Sequence, residues 1–206
     1  MVLALGAAGS ADLSAHRTDE YLQAARLAID PGRVQIELDL TPGIALAGSI
    51  LADIDRDRDG SLSAEEQRAY GALVLSALTL EVDGTPVRAQ LATTSFPEAE
   101  AMRRGEGTIR LQSAAILPGV SSGFHQLLFR NRHHPDRSVY LANALLPEST
   151  RVAVTAQRRD VDQTELTIDY IVRAAPARPR AAWLLGLIAA ATVLSALMMR
   201  PLRSLP

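Results

Sequence analysis

The chain contains no cysteine and no lysine. Without cysteine there is no disulfide framework, no thiolate zinc site and no cysteine nucleophile. Without lysine there is no P-loop lysine, Schiff-base lysine or kinase-type lysine, and all 21 basic residues are arginine. A charge excess is missing too. The formal net charge of −2 leaves no basic footprint for nucleic acid. A nucleophile with an identifiable base is also lacking. Ser121 and Ser122 lie near Gly119 and Gly123, but no G-x-S-x-G elbow surrounds them. Glu98, Glu100 and Glu106 read as a solvated connection rather than a catalytic acid pair. Arg103-Arg104 and Arg158-Arg159-Asp160 read as loop charges. The expectation is a protein that is not an enzyme.

What is present is unevenly spread. Residues 1–15 hold 10 apolar residues and residues 181–199 hold 16, so the ends are richer in apolar residues than the middle. The run Ala181–Met199 carries no charge between Arg180 and Arg200. As a helix it would be about 28 Å long, which matches a bilayer core. Trp183 lies near one end, where an interfacial aromatic is expected. Residues 181–199 are therefore expected to form one transmembrane helix, with 200–206 as a short tail. Residues 1–15 read as a signal peptide. Leu13-Ser14-Ala15 resembles its cleavage site, which would make His16 the mature N-terminus. Residues 174–180, rich in proline and arginine, read as a stiff stalk. Residues 16–173 would then be an extracytoplasmic domain, periplasmic or extracellular, on a single-pass anchor. Arginines flank both sides of the apolar run, so charge alone does not orient it.

Within that domain, strand signals dominate. Val34, Ile36, Leu38 and Leu40 alternate with polar residues. Asp30-Pro31-Gly32 is a turn, which makes Tyr21–Ile29 a partner strand, although its alanines leave a helix open. Leu78–Val82, Asp83-Gly84 and Val87–Thr93 predict a hairpin. Phe124–Arg132 and Val139–Leu145 predict a second, with His133-His134-Pro135-Asp136 at its tip. Thr108–Ile116, Arg151–Gln157 and Glu165–Val172 bring the total to seven or eight strands. The expected fold is mainly β (α+β). It is an antiparallel β-sandwich with a helix–loop–helix insert at about 44–77.

The sharpest motif is that insert's loop, Asp55-Arg-Asp-Arg-Asp-Gly-Ser-Leu-Ser-Ala-Glu-Glu66. It fits the calcium-loop pattern D-x-[DN]-x-[DN]-G-x₅-E at every specified position. Calcium is a hard cation that takes six to eight oxygens. Asp55, Asp57 and Asp59 would supply carboxylates, Ser61 its carbonyl, Ser63 a hydroxyl or a bridging water, and Glu66 two oxygens. Gly60 permits the sharp turn, and Leu62 is the apolar anchor. Five acids less two arginines give the loop a charge of −3. Ile44–Ile54 predicts the incoming helix, and Ser63-Ala-Glu-Glu66 is a capping box opening a helix through about Ala77. A single Ca²⁺ is expected to staple a domain that has no disulfides. The chain shows no second loop of this pattern, because Asp160-Val-Asp162 lacks the glycine and the closing glutamate.

Over Asp55–Glu66 the sequence resembles the EF-hand superfamily. More widely, His16–Gln23, Val34–Pro42, the loop, Phe124–Asn131 and Val139–Asn143 resemble exported bacterial domains. Similar domains precede the membrane helices of HupE/UreJ-type proteins, and the resemblance covers about residues 16–173. This chain has one apolar run after the domain where those proteins have several helices, so no transport function follows. The remaining candidates are histidines. His16, as a mature N-terminus, could chelate copper. His133 and His134, as strand neighbours, would face opposite ways and make a poor joint site. His125 reads as a satisfied packing residue. The functional expectation is a membrane-tethered calcium-binding domain. The alternatives are an interaction or accessory domain that binds a protein partner, or copper binding through His16.

Overall fold

Alternation sets the first two strands. In β1 (Tyr21–Asp30) every odd-numbered residue is buried, and in β2 (Arg33–Pro42) every even-numbered one is. The antiparallel register places Ala25 opposite Leu38, Leu27 opposite Ile36 and Ile29 opposite Val34. The paired inward side chains form one wall of the core. This computed structural model describes residues 19–117 and 120–175. The expectations for 1–15, His16, 181–199 and 200–206, and for all of the 174–180 stalk but its first two residues, lie outside the described residues. Among the described residues, no helix is long and apolar enough to cross a membrane.

After β2 come α1 (Ile44–Ile54), α2 (Ala64–Ser76), β3 (Leu78–Val82), β4 (Thr85–Pro86) and β5 (Gln90–Ser95). The chain continues through α3 (Ala99–Arg103), β6 (Ile109–Ile116), β7 (Gly123–Asn131), β8 (Ser138–Ala144), β9 (Val152–Arg159) and β10 (Glu165–Val172). The strands form two five-stranded sheets, ordered β5-β6-β2-β1-β8 and β4-β3-β7-β10-β9. Inward residues of both, among them Leu27, Leu38, Leu111, Leu80, Phe129, Ile168 and Tyr170, belong to one buried cluster. The fold is mainly β, built of two sheets rich in antiparallel pairs. One pairing departs from the expected pattern, because β8 runs parallel to β1 at the edge of its sheet.

Both expected hairpins need correction. Asp83 (φ 51°) and Gly84 (φ 76°) do form a tight turn with two left-handed residues, but the returning strand β4 ends at Pro86. The chain then leaves for the other sheet as β5. There Leu91 and Thr94 meet the flank of α2 at Gly71, where an added Cβ would lie only 2.8 Å from Leu91 Cδ2. The second expected hairpin does not form. β7 and β8 lie in different sheets, and His133 of the segment between them is buried while Arg132, Pro135 and Asp136 are exposed.

The two helices between β2 and β3 follow the predicted bounds closely. Ala47, Ile50, Leu51 and Ile54 bury one face of α1, spaced as an amphipathic helix requires. Tyr70, Gly71 and Val74 do the same for α2. Ser63 caps α2, with its Oγ accepting from the Glu66 N–H while its own N–H reaches Glu66 Oε2. Such reciprocal capping satisfies two otherwise orphaned helix-end donors.

Candidate metal centre

The segment 55–63 joins α1 to α2 and is exposed along most of its length. Its backbone curls around its own acids. Asp55 Oδ1 accepts from Asp59 N–H (3.1 Å), and Oδ2 accepts from Gly60 N–H (3.0 Å). Asp57 Oδ1 accepts from Asp59 N–H and Asp59 Oδ1 from Ser61 N–H. The curl needs left-handed backbone at Arg58 (φ 62°) and Gly60 (φ 85°), and only glycine takes the latter without strain. As a result Asp55, Asp57 and Asp59 each bring a carboxylate oxygen within 4.8 Å of the others.

The other expected ligands are placed nearby, without joining that set. Glu66 Oε1 accepts from the Arg56 N–H (2.9 Å), which ties the closing end of the loop to its start. Glu66 Oε2 takes the Ser63 N–H and hydroxyl. Ser61 holds Asp59 through its N–H. Leu62 packs against the core, and the Gln67 side chain covers its carbonyl at 2.9 Å.

The electrostatics divide the loop. The hydrogen bonds from Ser63, first its hydroxyl and then its N–H, hold Glu66 below the usual carboxylate range. Asp57 goes the other way. The Asp59 N–H pulls its carboxyl down, but desolvation, the Asp59 and Glu66 charges and the Asp55 carboxyl together raise it above the ordinary value. Three anions at this spacing repel each other, and a cation among them removes that repulsion. All the donors are oxygens, which suits a hard divalent ion and gives nothing to a metal that wants nitrogen or sulfur.

Directly behind the helices lies a second polar constellation, which the sequence did not announce. His133 is buried rather than at an exposed tip. Its carbonyl accepts from Gln23 Nε2 (2.7 Å), Tyr140 OH (2.9 Å) and Ser138 Oγ (3.2 Å). Its N–H donates to Asn131 Oδ1, and Asn131 Nδ2 donates to Gln23 Oε1. These bonds turn the chain from one sheet to the other, which is why no hairpin forms. The His133 ring meets Tyr70 of α2, Nε2 to OH at 3.1 Å, and the Tyr70 hydroxyl meets Tyr21 OH at 2.9 Å. His134 does not face away from His133 as strand neighbours would. It has φ 50°, and the two rings lie 4.2 Å apart. Its Nε2 lies 3.5 Å from Asp53 Oδ2 on α1. Burial first, and then the neighbouring His134, push the His133 imidazole down to about 4. One sequence signal did exist. Gln23 occupies an inward position of β1 between Tyr21 and Ala25, where an apolar residue belongs.

His125 lies elsewhere, on β7, and its needs are met. Nδ1 lies 2.7 Å from Asp83 Oδ2 and Nε2 lies 3.0 Å from the Ser121 carbonyl. With an acceptor at both nitrogens, the hydrogen bond to Asp83 foremost raises its pKa above the ordinary imidazole value.

No family model, curated protein or solved structure matches the chain.

Proposed function

We propose that this chain binds calcium through an EF-hand-like loop, Asp55–Glu66, and that the ion stabilises the domain. The observation that carries this reading is the convergence of the Asp55, Asp57 and Asp59 carboxylates within 4.8 Å on an exposed loop. Asp55, Asp57, Asp59 and Glu66 would supply charged oxygens, Ser61 its carbonyl, and Ser63 a hydroxyl or a bridging water. The ion supplies two positive charges to a loop of charge −3. Calcium accepts the irregular, many-oxygen shell that a flexible loop offers, whereas magnesium demands a near-ideal octahedron. A single exposed loop fits the weak class, about 10⁻⁴–10⁻³ M, typical of extracellular modules. That affinity agrees with the proposed placement outside the cytoplasm, behind a signal at 1–15 and an anchor at 181–199.

The test is a thermal melt of the chain with calcium and with EGTA. Millimolar CaCl₂ raises Tm, EGTA reverses the rise, and Glu66→Ala abolishes the response. A melt indifferent to calcium, together with no heat of calcium binding, removes the reading.

A further inference from the structure

On its exposed side the loop ties its two ends at Glu66, whose Oε1 accepts from the Arg56 N–H at 2.9 Å in an exposed setting. Its carboxylates push apart, and its own hydrogen bonds run mostly between residues a few positions apart. On the inner side the position is different, because both helices touch the same buried corner. Tyr70 stands four residues after Glu66, so the two share a face of α2. Its hydroxyl is held from two directions, by Tyr21 OH of β1 at 2.9 Å and by His133 Nε2 at 3.1 Å. Asp53 stands two residues before Asp55, and its carboxylate lies 3.5 Å from His134 Nε2. His133 is in turn fixed through its own backbone by Gln23, Asn131, Ser138 and Tyr140. The exit of the loop is therefore hydrogen-bonded to His133 through Tyr70, and its entrance lies beside His134, whose Nε2 makes no hydrogen bond.

An apolar contact at this point would let α2 slide along the sheet at little cost. Hydrogen bonds near 3 Å are directional and do not. The direction of the chain follows from a neutral His133. With Nε2 as acceptor, Tyr70 donates to His133 and Tyr21 donates to Tyr70, which leaves neither hydroxyl without a partner.

We propose that Tyr70 and His133 are positioning residues for the calcium loop, their hydrogen bond fixing Glu66 relative to Asp55, Asp57 and Asp59 before the ion arrives. The corner thus braces a loop that has no second loop of its pattern beside it among the described residues. This rests on the calcium reading above.

The test is calorimetric titration of the full chain with CaCl₂, for wild type, Glu66→Ala, Tyr70→Phe, His133→Gln and the double variant. Losing the Tyr70–His133 hydrogen bond, and in Tyr70→Phe the Tyr21 bond with it, should raise the calcium Kd about three- to tenfold in each single variant. The double variant should be no worse than the poorer single one, because both remove the same link. His125→Asn is the control. It breaks a polar pair far along β7, lowers Tm and leaves Kd unchanged. A readout on the wild type needs no variant to fold: the His133 imidazole nitrogen signals should shift on calcium addition, half-saturating at the calorimetric Kd. An unchanged Kd in both single variants, a loss no larger than for His125→Asn, or His133 signals blind to calcium each overturn the brace while calcium binding stands. A wild type that binds no calcium, and behaves like Glu66→Ala, overturns the calcium reading and the brace with it.

Discussion

Two polar constellations lie on either side of the same pair of helices, and they are built on opposite terms. The loop 55–66 is contiguous, exposed and anionic, and its acids accept mostly from backbone N–H groups of the loop itself. The corner around His133 is assembled from β1, α2, the ends of β7 and β8 and the turn between them, and its hydrogen bonds run mostly between residues far apart in sequence. Its centre, at Tyr21, Gln23, Tyr70, Asn131 and His133, is buried, and at its margin His134 Nε2 lies 3.5 Å from Asp53 Oδ2. The difference shows how polarity can serve a fold in two ways. In the loop, three carboxylates held within 4.8 Å of one another repel, which on the proposed reading is what a bound cation relieves. In the corner, the hydrogen bonds of Gln23, Tyr70, Asn131 and His133 fix a geometry, and of the buried side-chain atoms there only His134 Nε2 is left without a partner. Low dielectric makes each satisfied bond in the corner directional and costly to break. Water at the surface keeps the loop soft and its energies small.

If that contrast holds, the largest effect follows from breaking the corner. Gln23→Leu keeps the volume but removes the amide that donates to the His133 carbonyl and to Ser138 and accepts from Asn131. Asn131 Nδ2 loses its partner in a buried setting. Stranding a buried donor while losing two further bonds should cost about 2–4 kcal/mol, read from urea unfolding at neutral pH. A cost under about 1 kcal/mol would mean that the corner tolerates loss as a surface loop does, and the contrast would collapse.

The next effect sharpens the comparison through pH. His133 is held down to about 4 in the folded chain, whereas an unfolded imidazole titrates near 6.5. The folded state therefore resists a proton that the unfolded state accepts. Stability from this group is intact above about pH 6.5 and is lost as pH falls from there towards 4, by about 2 kcal/mol at pH 5. His133→Gln should be less stable than wild type at pH 7, and the gap should narrow by that amount at pH 5. His125 has the opposite sign. Its pKa is raised by Asp83, so its contribution is full in acid and fades as pH rises through the folded-state value. A gap between wild type and His133→Gln that stays constant from pH 7 to 5 would mean that His133 is hydrated and the corner is not dry.

The same contrast explains what was legible in the sequence. The loop could be read because its chemistry is local. Asp55, Asp57, Asp59, Gly60 and Glu66 carry their spacing in the chain, and Ser63 and Glu66 mark the helix start. α1 and the inward faces of β1 and β2 were legible for the same reason, since each follows a short period. The corner could not be read, because its partners are up to 115 residues apart, as Gln23 and Ser138 are. His133-His134-Pro135-Asp136 has the composition of a turn, and only the positive φ at His134 and the pull of Gln23, Ser138 and Tyr140 on one carbonyl reveal a buried crossing. The first hairpin, which turns at Asp83-Gly84 as expected but returns only over Thr85–Pro86, and the second, which does not form, share that cause. Asp-Gly and His-Pro signals fix where a chain turns, and say nothing of which sheet receives it.

The smallest effect is the most exposing test, because it asks whether the loop is in tension without an ion. Asp57 is the acid whose pKa is raised. The Asp59 N–H favours its charge, yet desolvation, the Asp59 and Glu66 charges and the Asp55 carboxyl prevail. Asp57→Asn removes the charge and keeps an oxygen that can still accept from Asp59 N–H. In EGTA, Tm should therefore stay level or rise slightly. In millimolar calcium the variant should fall below wild type, because it has lost one charged ligand oxygen while wild type gains from the ion. The crossing of the two melts, rather than either value, is the signature. It separates a loop that waits on a cation from an acidic turn with none to bind, in which Asp57→Asn would shift both melts alike. It also separates the loop from the corner, where Gln23→Leu lowers Tm with and without calcium.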